Sequence, residues 1–149
     1  MKTKSSWIIL VGLASTLWFS SCKEEGPHLN DIVFFDATIN NSNTQPRSNS
    51  SAQGSAVLEY NKKSRTLTYN VTYSGMTPTV AHIHSANPAW ENGPVEIPFA
   101  NVLTSPITGS AQLSQEQENK LILGNMYINI HSEAFPFGEI RGQILMRRD

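Results

Sequence analysis

The 149-residue chain contains one cysteine, and that scarcity removes several chemistries at once. A lone thiol makes no internal disulfide, no cysteine-rich zinc site and no CxxC redox pair. Neither sign of charge dominates: eleven Lys+Arg face twelve Asp+Glu, a formal charge of −1. No general electrostatic attraction for nucleic acid follows from that balance. There is no Gly-x-Ser-x-Gly elbow and no phosphate-cradling glycine loop, and the acids are scattered outside any recognisable catalytic pairing. No apolar run approaches the ~20 residues that span a bilayer. The length suits one domain, since single cores usually run to ~100–200 residues. An enzyme is not expected.

What is present begins with an address. Lys2 and Lys4 precede an apolar run of 13 residues, Trp7 to Phe19, with the basic start and short length of a signal peptide. Phe19-Ser20-Ser21-Cys22 follows and resembles a bacterial lipobox, in which the cysteine is diacylated and becomes the mature N-terminus; Phe19 replaces the commoner leucine. The competing reading is an ordinary secretory signal that leaves Cys22 as a free thiol. The expectation is residues 1–21 as lipoprotein signal peptide, 22–30 as lipid-anchored tether and 31–147 as the folded domain. Acyl chains contribute ~0.8 kcal/mol per buried CH₂, so two or three of them anchor a protein without any spanning segment. Lys23-Glu24-Glu25 resembles an export signal that carries some lipoproteins to the outer face of the outer membrane, so a surface-exposed position in the cell envelope is expected.

From Asp31 onward the chain alternates with period two. Val33, Phe35, Ala37 and Ile39 share one strand face, and Leu67, Tyr69, Val71 and Tyr73 share another. Gly54 to Tyr60 and Arg65 to Ser74 read as a hairpin; Thr79 to His84, Val95 to Phe99, Ile107 to Leu113, Met126 to Ser132 and Glu139 to Met146 read as further strands. Asn40 to Gln53, rich in Asn, Ser and Gln, reads as a long exposed loop. Ser114 followed by Gln117 is a capping pair that starts one short helix near 115–123, ending at Gly124. About eight strands without βαβ alternation predict an all-β, antiparallel Greek-key sandwich or barrel, immunoglobulin-like or Cu/Zn superoxide dismutase-like.

His82 and His84 are two apart on a predicted strand, so both rings project from one face. His131, on a later strand with Tyr127 and Asn129, joins them if the strands pair, and Glu139 is a further candidate. Three imidazoles with or without a carboxylate suit copper or zinc. The competing reading is that the rings pin a polar layer by bonding backbone carbonyls through both nitrogens. Ring nitrogens ~3–4 Å apart would favour a metal. Glu139 and Arg141 share a face and are expected to form a structural ion pair with contacts to turn backbone. Gly138 is assigned to a tight turn and Gly142 to close packing. Trp90, Phe135 and Phe137 lie on loops and are candidate contacts for a partner. His28 falls in the tether and is expected to be solvated.

Three blocks in this order, Ala81-His82-Ile83-His84, Asn92-Gly93-Pro94-Val95 and Gly124 to His131 continuing into Pro136 to Ile144, resemble a CHRD domain, the module repeated in chordin. The resemblance covers roughly Ile32 to Met146. It implies an immunoglobulin-like or related Greek-key β-fold in an extracytoplasmic setting, with the family's recurrent positions on His82, His84, Gly93, Tyr127, His131, Gly138, Glu139, Arg141 and Gly142. Ser85 stands where many members have glycine. The His-x-His strand is also similar to the copper half of Cu/Zn superoxide dismutase, but no His or Asp between Ser85 and Gly124 supplies the remaining ligands, so dismutation is not expected. The primary expectation is a cell-envelope lipoprotein whose CHRD domain is a non-catalytic binding or adhesion module for an extracellular protein or glycan, without a cofactor. The alternatives are a copper- or zinc-binding domain using His82, His84 and His131, and a purely structural envelope protein.

Overall fold

The computed structural model describes residues 31–148. The signal peptide, Cys22, the export signal and the tether with His28 lie outside the described residues. The strands are β1 (Ile32–Ile39), β2 (Gln53–Asn61), β3 (Thr66–Ser74), β4 (Val80–Ser85), β5 (Val95–Pro98) and β6 (Ile107–Gln112). After the helix α1 (Gln115–Ile122) come β7 (Met126–His131), β8 (Ile140–Gln143) and the two-residue β9 (Leu145–Met146). They form two antiparallel sheets, in the orders β6-β3-β2-β1-β9 and β5-β4-β7-β8. The fold is the expected all-β sandwich; of the two forms anticipated, the closed barrel is not the one adopted.

Alternation explains the core. Phe35, Ile39, Leu58, Tyr60, Leu67 and Val71 come inward from the first sheet, and Ile83, Ile97, Ile128, Ile130 and Ile140 meet them from the second. On β1 and β3 these are the period-two faces read from sequence. Helix α1 begins where expected: the Ser114 hydroxyl accepts from the Gln117 amide, and the Gln117 side chain accepts from the Ser114 amide. Leu121 is its one buried residue, and polar contacts complete its seating: Gln117 and Lys120 reach Glu96 on β5, and Arg65 reaches Gln115.

One expectation is corrected and another refined. The run from Glu139 to Met146 is not one strand. β8 pairs with β7 in the second sheet, the fully buried Ile144 follows it, and β9 pairs with β1 in the first. The chain changes sheets there, because Ile144 turns into the core and the next two residues reach the other layer. The segment from Asn40 to Gln53 is the mostly exposed loop expected, but it is pinned to the sheet at a few buried points. Thr44, Ser48 and Ala52 are buried, and Asn40 exchanges backbone hydrogen bonds with Arg141 at 3.1 and 2.8 Å. Its hydroxyls do the work that composition hides. Ser48 Oγ donates to the Glu139 carbonyl at 2.6 Å, and Thr44 Oγ1 accepts from the Ser48 amide at 2.8 Å. Polar residues that satisfy backbone groups can be buried without cost to hydrogen bonding.

Candidate metal centre

On β4 and β7 the inward residues are aliphatic, while the opposite face carries His82, His84, Tyr127, Asn129 and His131. Cross-strand register places His82 opposite Asn129 and His84 opposite Tyr127, with Arg141 on β8 opposite Asn129. An antiparallel sheet face of this kind is commonly solvated. Here Tyr127, Asn129, His131 and Arg141 are all buried, because two loops fold back over them.

Each loop is held by side chains rising from the sheet. Over the first, residues 86–94, Arg141 donates to the carbonyls of Ala89 (2.7 Å) and Glu91 (2.9 Å) and to Asn92 Oδ1 (3.3 Å). The Gly93 amide donates to the Tyr127 hydroxyl at 3.1 Å, while its carbonyl bonds His84 Nδ1 at 3.0 Å. A methyl at Gly93 would collide with the Ser85 carbonyl oxygen, so only glycine brings this peptide so close. The second loop, residues 132–139, is held by His131 Nδ1 on the Pro136 carbonyl at 2.9 Å and by Asn129 Nδ2 donating to the Phe137 carbonyl at 3.1 Å. Gly138, at φ +127°, lies against the Asn129 amide and has no room for a side chain.

These bonds decide the histidine tautomers. A carbonyl only accepts, so Nδ1 of His84 and of His131 must carry the proton, and Nε2 of each is left with its lone pair. Both Nε2 atoms are buried without a hydrogen-bond partner, as is Nδ1 of His82. The rings converge: His82 stands edge-on to His84 and to His131, each at 5.4 Å between centroids, and His84 and His131 are 6.2 Å apart. One nitrogen from each ring lies within 4.8 Å of the other two. Bonds of about 2.0–2.1 Å to a metal set ligand nitrogens about 3.4–3.6 Å apart, so the rings must close by about an ångström to bind one. Outward bonds to carbonyls, which a purely structural pin would make through both nitrogens, here use only one. A ligating histidine is commonly oriented in this way, by a carbonyl on its second nitrogen.

The electrostatics keep the rings neutral. Burial, then the charges of His131 and His84, push His82 below the ordinary imidazole value. Burial lowers His84 against the opposing pull of the Gly93 carbonyl, and lowers His131 against that of Pro136. Neutral imidazole is the form that ligates.

The predicted positions thus divide. His82, His84, Tyr127, His131, Gly93, Gly138 and Arg141 surround one centre. Gly142 lies apart, where a methyl would stand 2.6 Å from the Thr38 carbonyl oxygen; this is the close packing expected of it, against the end of β1. Glu139 is a correction. Its carboxylate accepts from Ser50 Oγ at 2.6 Å on the far side of the strand end, and neither ligates with the histidines nor pairs with Arg141. Strand β8 begins one residue later, at Ile140, and the two side chains go to different partners. Arg141 finds its partners in loop carbonyls and in the ring of Tyr127, 3.4 Å from its guanidinium carbon. Trp90 and Phe137 are strongly exposed at the loop tips, and Phe135 is half-buried. Asn129 was legible only as a face neighbour of His131; its part in seating Phe137 depends on a fold-back that no local pattern announces.

A family model described as CHRD domain matches residues 35–144, more than half of the chain. The chain belongs to the CHRD domain family. No curated protein and no solved structure matches it. The matched span of this CHRD domain runs from β1 to the sheet change at Ile144 and contains every residue of the histidine centre.

Proposed function

We propose that this chain is a lipid-anchored protein of the bacterial cell envelope whose CHRD domain is a non-catalytic binding module, and that its three-histidine centre holds one transition-metal ion, copper or zinc. The observation that carries the metal reading is the convergence of three rings, one ligand nitrogen from each lying within 4.8 Å of the other two, with one buried, unpartnered nitrogen on every ring. Leaving such atoms unsatisfied costs about 1–3 kcal/mol each, a debt that a shared metal ion cancels. Binding rather than catalysis is supported by the same burial: nitrogens closed off from solvent present a metal that substrate does not reach. The anchoring half of the proposal rests on Phe19-Ser20-Ser21-Cys22 and Lys23-Glu24-Glu25. The exposed Trp90 and Phe137, with Phe135 beside them, supply a contact surface for an extracellular protein or glycan, and both exposed rings sit on loops fastened from beneath.

Elemental analysis of the full chain, purified without a histidine tag, tests the metal: about one copper or zinc per chain is expected, and protein that takes up neither on dialysis refutes it. Replacing Cys22→Ser tests the anchor, which predicts movement of the protein from the membrane fraction to the soluble one. Protease shaving of intact cells tests the outward orientation.

A further inference from the structure

The donor set is chemically unusual in one respect: it carries no negative charge. Among the described residues the cluster consists of His82, His84 and His131 alone. Glu139 and Glu96 are committed elsewhere. Glu139 is bound by Ser50, and Glu96, whose charge reaches His84, receives hydrogen bonds from Ser85 (2.6 Å), Gln117 (3.2 Å) and Lys120 (2.8 Å). A positive charge also stands beside the centre. Tyr127 lies parallel to His84 with 5.1 Å between ring centroids, and Arg141 sits 3.4 Å over that same phenol ring.

A divalent ion placed among these rings would bring two uncompensated charges into a buried site beside a fixed cation. The solvation energy an ion forfeits on burial grows with the square of its charge, so a monovalent ion forfeits a quarter as much. Coordination number points the same way. Zinc seeks a fourth ligand, and the closure of the ligand nitrogens to solvent leaves little access for a water or hydroxide that would complete the shell and neutralise charge. Cu(I), with a filled d shell and one positive charge, is stable with three neutral nitrogen donors. Three donors alone complete its shell, once the ring nitrogens, within 4.8 Å of one another, close by about the ångström that any ion at this centre requires.

Resting on the metal reading above, we infer that the centre is a Cu(I) site: a three-coordinate, all-imidazole seat that holds copper in the reduced, monovalent state and discriminates against divalent ions by charge. The ion enters and leaves as Cu(I), and no electron transfer is required of the protein.

The test titrates the full, untagged chain separately with Cu(I) under anaerobic conditions, with Cu(II) and with Zn(II), each against a chromogenic chelator of known affinity. One Cu(I) per chain is expected, held at least about a hundredfold more tightly than Zn(II) or Cu(II), with an X-ray absorption edge characteristic of three-coordinate Cu(I). His82→Ala should weaken Cu(I) binding at least about a hundredfold. That ring bonds no loop carbonyl, so the melting temperature of the unloaded variant should stay close to that of the parent; should it drop, His82→Gln serves as the second variant. Tighter binding of Zn(II) or Cu(II) overturns the Cu(I) assignment and leaves the metal centre standing. Failure of all three ions to bind overturns both.

Discussion

The ring of Tyr127 lies almost parallel to that of His84, 7° apart in plane, and its hydroxyl meets the amide of the same Gly93 whose carbonyl holds His84 Nδ1. One residue thus orients a candidate ligand and the aromatic ring stacked upon it. Since Arg141 covers the Tyr127 ring and also grips Ala89, Glu91 and Asn92, the centre and the loop carrying Trp90 form a single mechanical unit.

Arg141 should therefore be among the most sensitive positions. Arg141→Ala leaves the carbonyls of Ala89 and Glu91 without their donor and uncovers Tyr127, and an expected loss of about 3–5 kcal/mol follows from buried acceptors left unsatisfied at about 1–3 kcal/mol each. Arg141→Lys should recover only part of this, because an ammonium cannot reproduce the planar fork. Urea denaturation of the three proteins measures it.

Glu139→Ala separates structure from metal. It removes the Ser50 contact and should cost about 1–2 kcal/mol in chemical denaturation. Metal affinity should stay within about twofold of the parent; a larger fall would mean that the carboxylate reaches the centre after all.

Packing predicts that Gly142→Ala is poorly tolerated. The new methyl meets the Thr38 carbonyl oxygen and Ile39 Cγ1 at 2.6 and 2.7 Å. Overpacking of this kind costs about 1–3 kcal/mol and should appear as a lowered melting temperature. Trp90→Ala makes the contrasting case, since its ring is 68% exposed: stability should change by less than about 0.5 kcal/mol, and the loss should fall on partner binding.

Acidity should weaken the metal-free fold early. His82, His84 and His131 all have folded-state values below the ordinary 6.5, so the unfolded chain takes up protons first as pH falls. Stability is then undiminished above about 6.5 and declines as pH drops through that value toward the lowered ones. The carboxylates of Asp36 and Glu96 are lowered too, and their loss comes in a separate, more acid window, below the ordinary carboxylate values. Thermal melts at pH 7.5, 6 and 5 should show the first decline, and bound metal should shrink it.

Local chemistry alone was enough for much of this molecule. A period-two pattern states which side chains share a strand face, so the inward faces of β1 and β3 and the common face of His82 and His84 could be read directly. Ser114 and Gln117, three residues apart, marked the start of α1. These features depend on backbone geometry over a few residues, which any copy of the sequence carries with it. The tertiary structure alone decided that Glu139 and Arg141 part company, that Ser48 and Ser50 pin a largely exposed segment to Glu139, and that the chain changes sheets at Ile144. It also decided which histidine nitrogens carry protons and which face one another. Each of these depends on atoms brought together from distant parts of the chain by strand register and loop closure, such as Ser50 with Glu139 and His84 with Gly93. Composition does not encode such meetings; the packing of two sheets does.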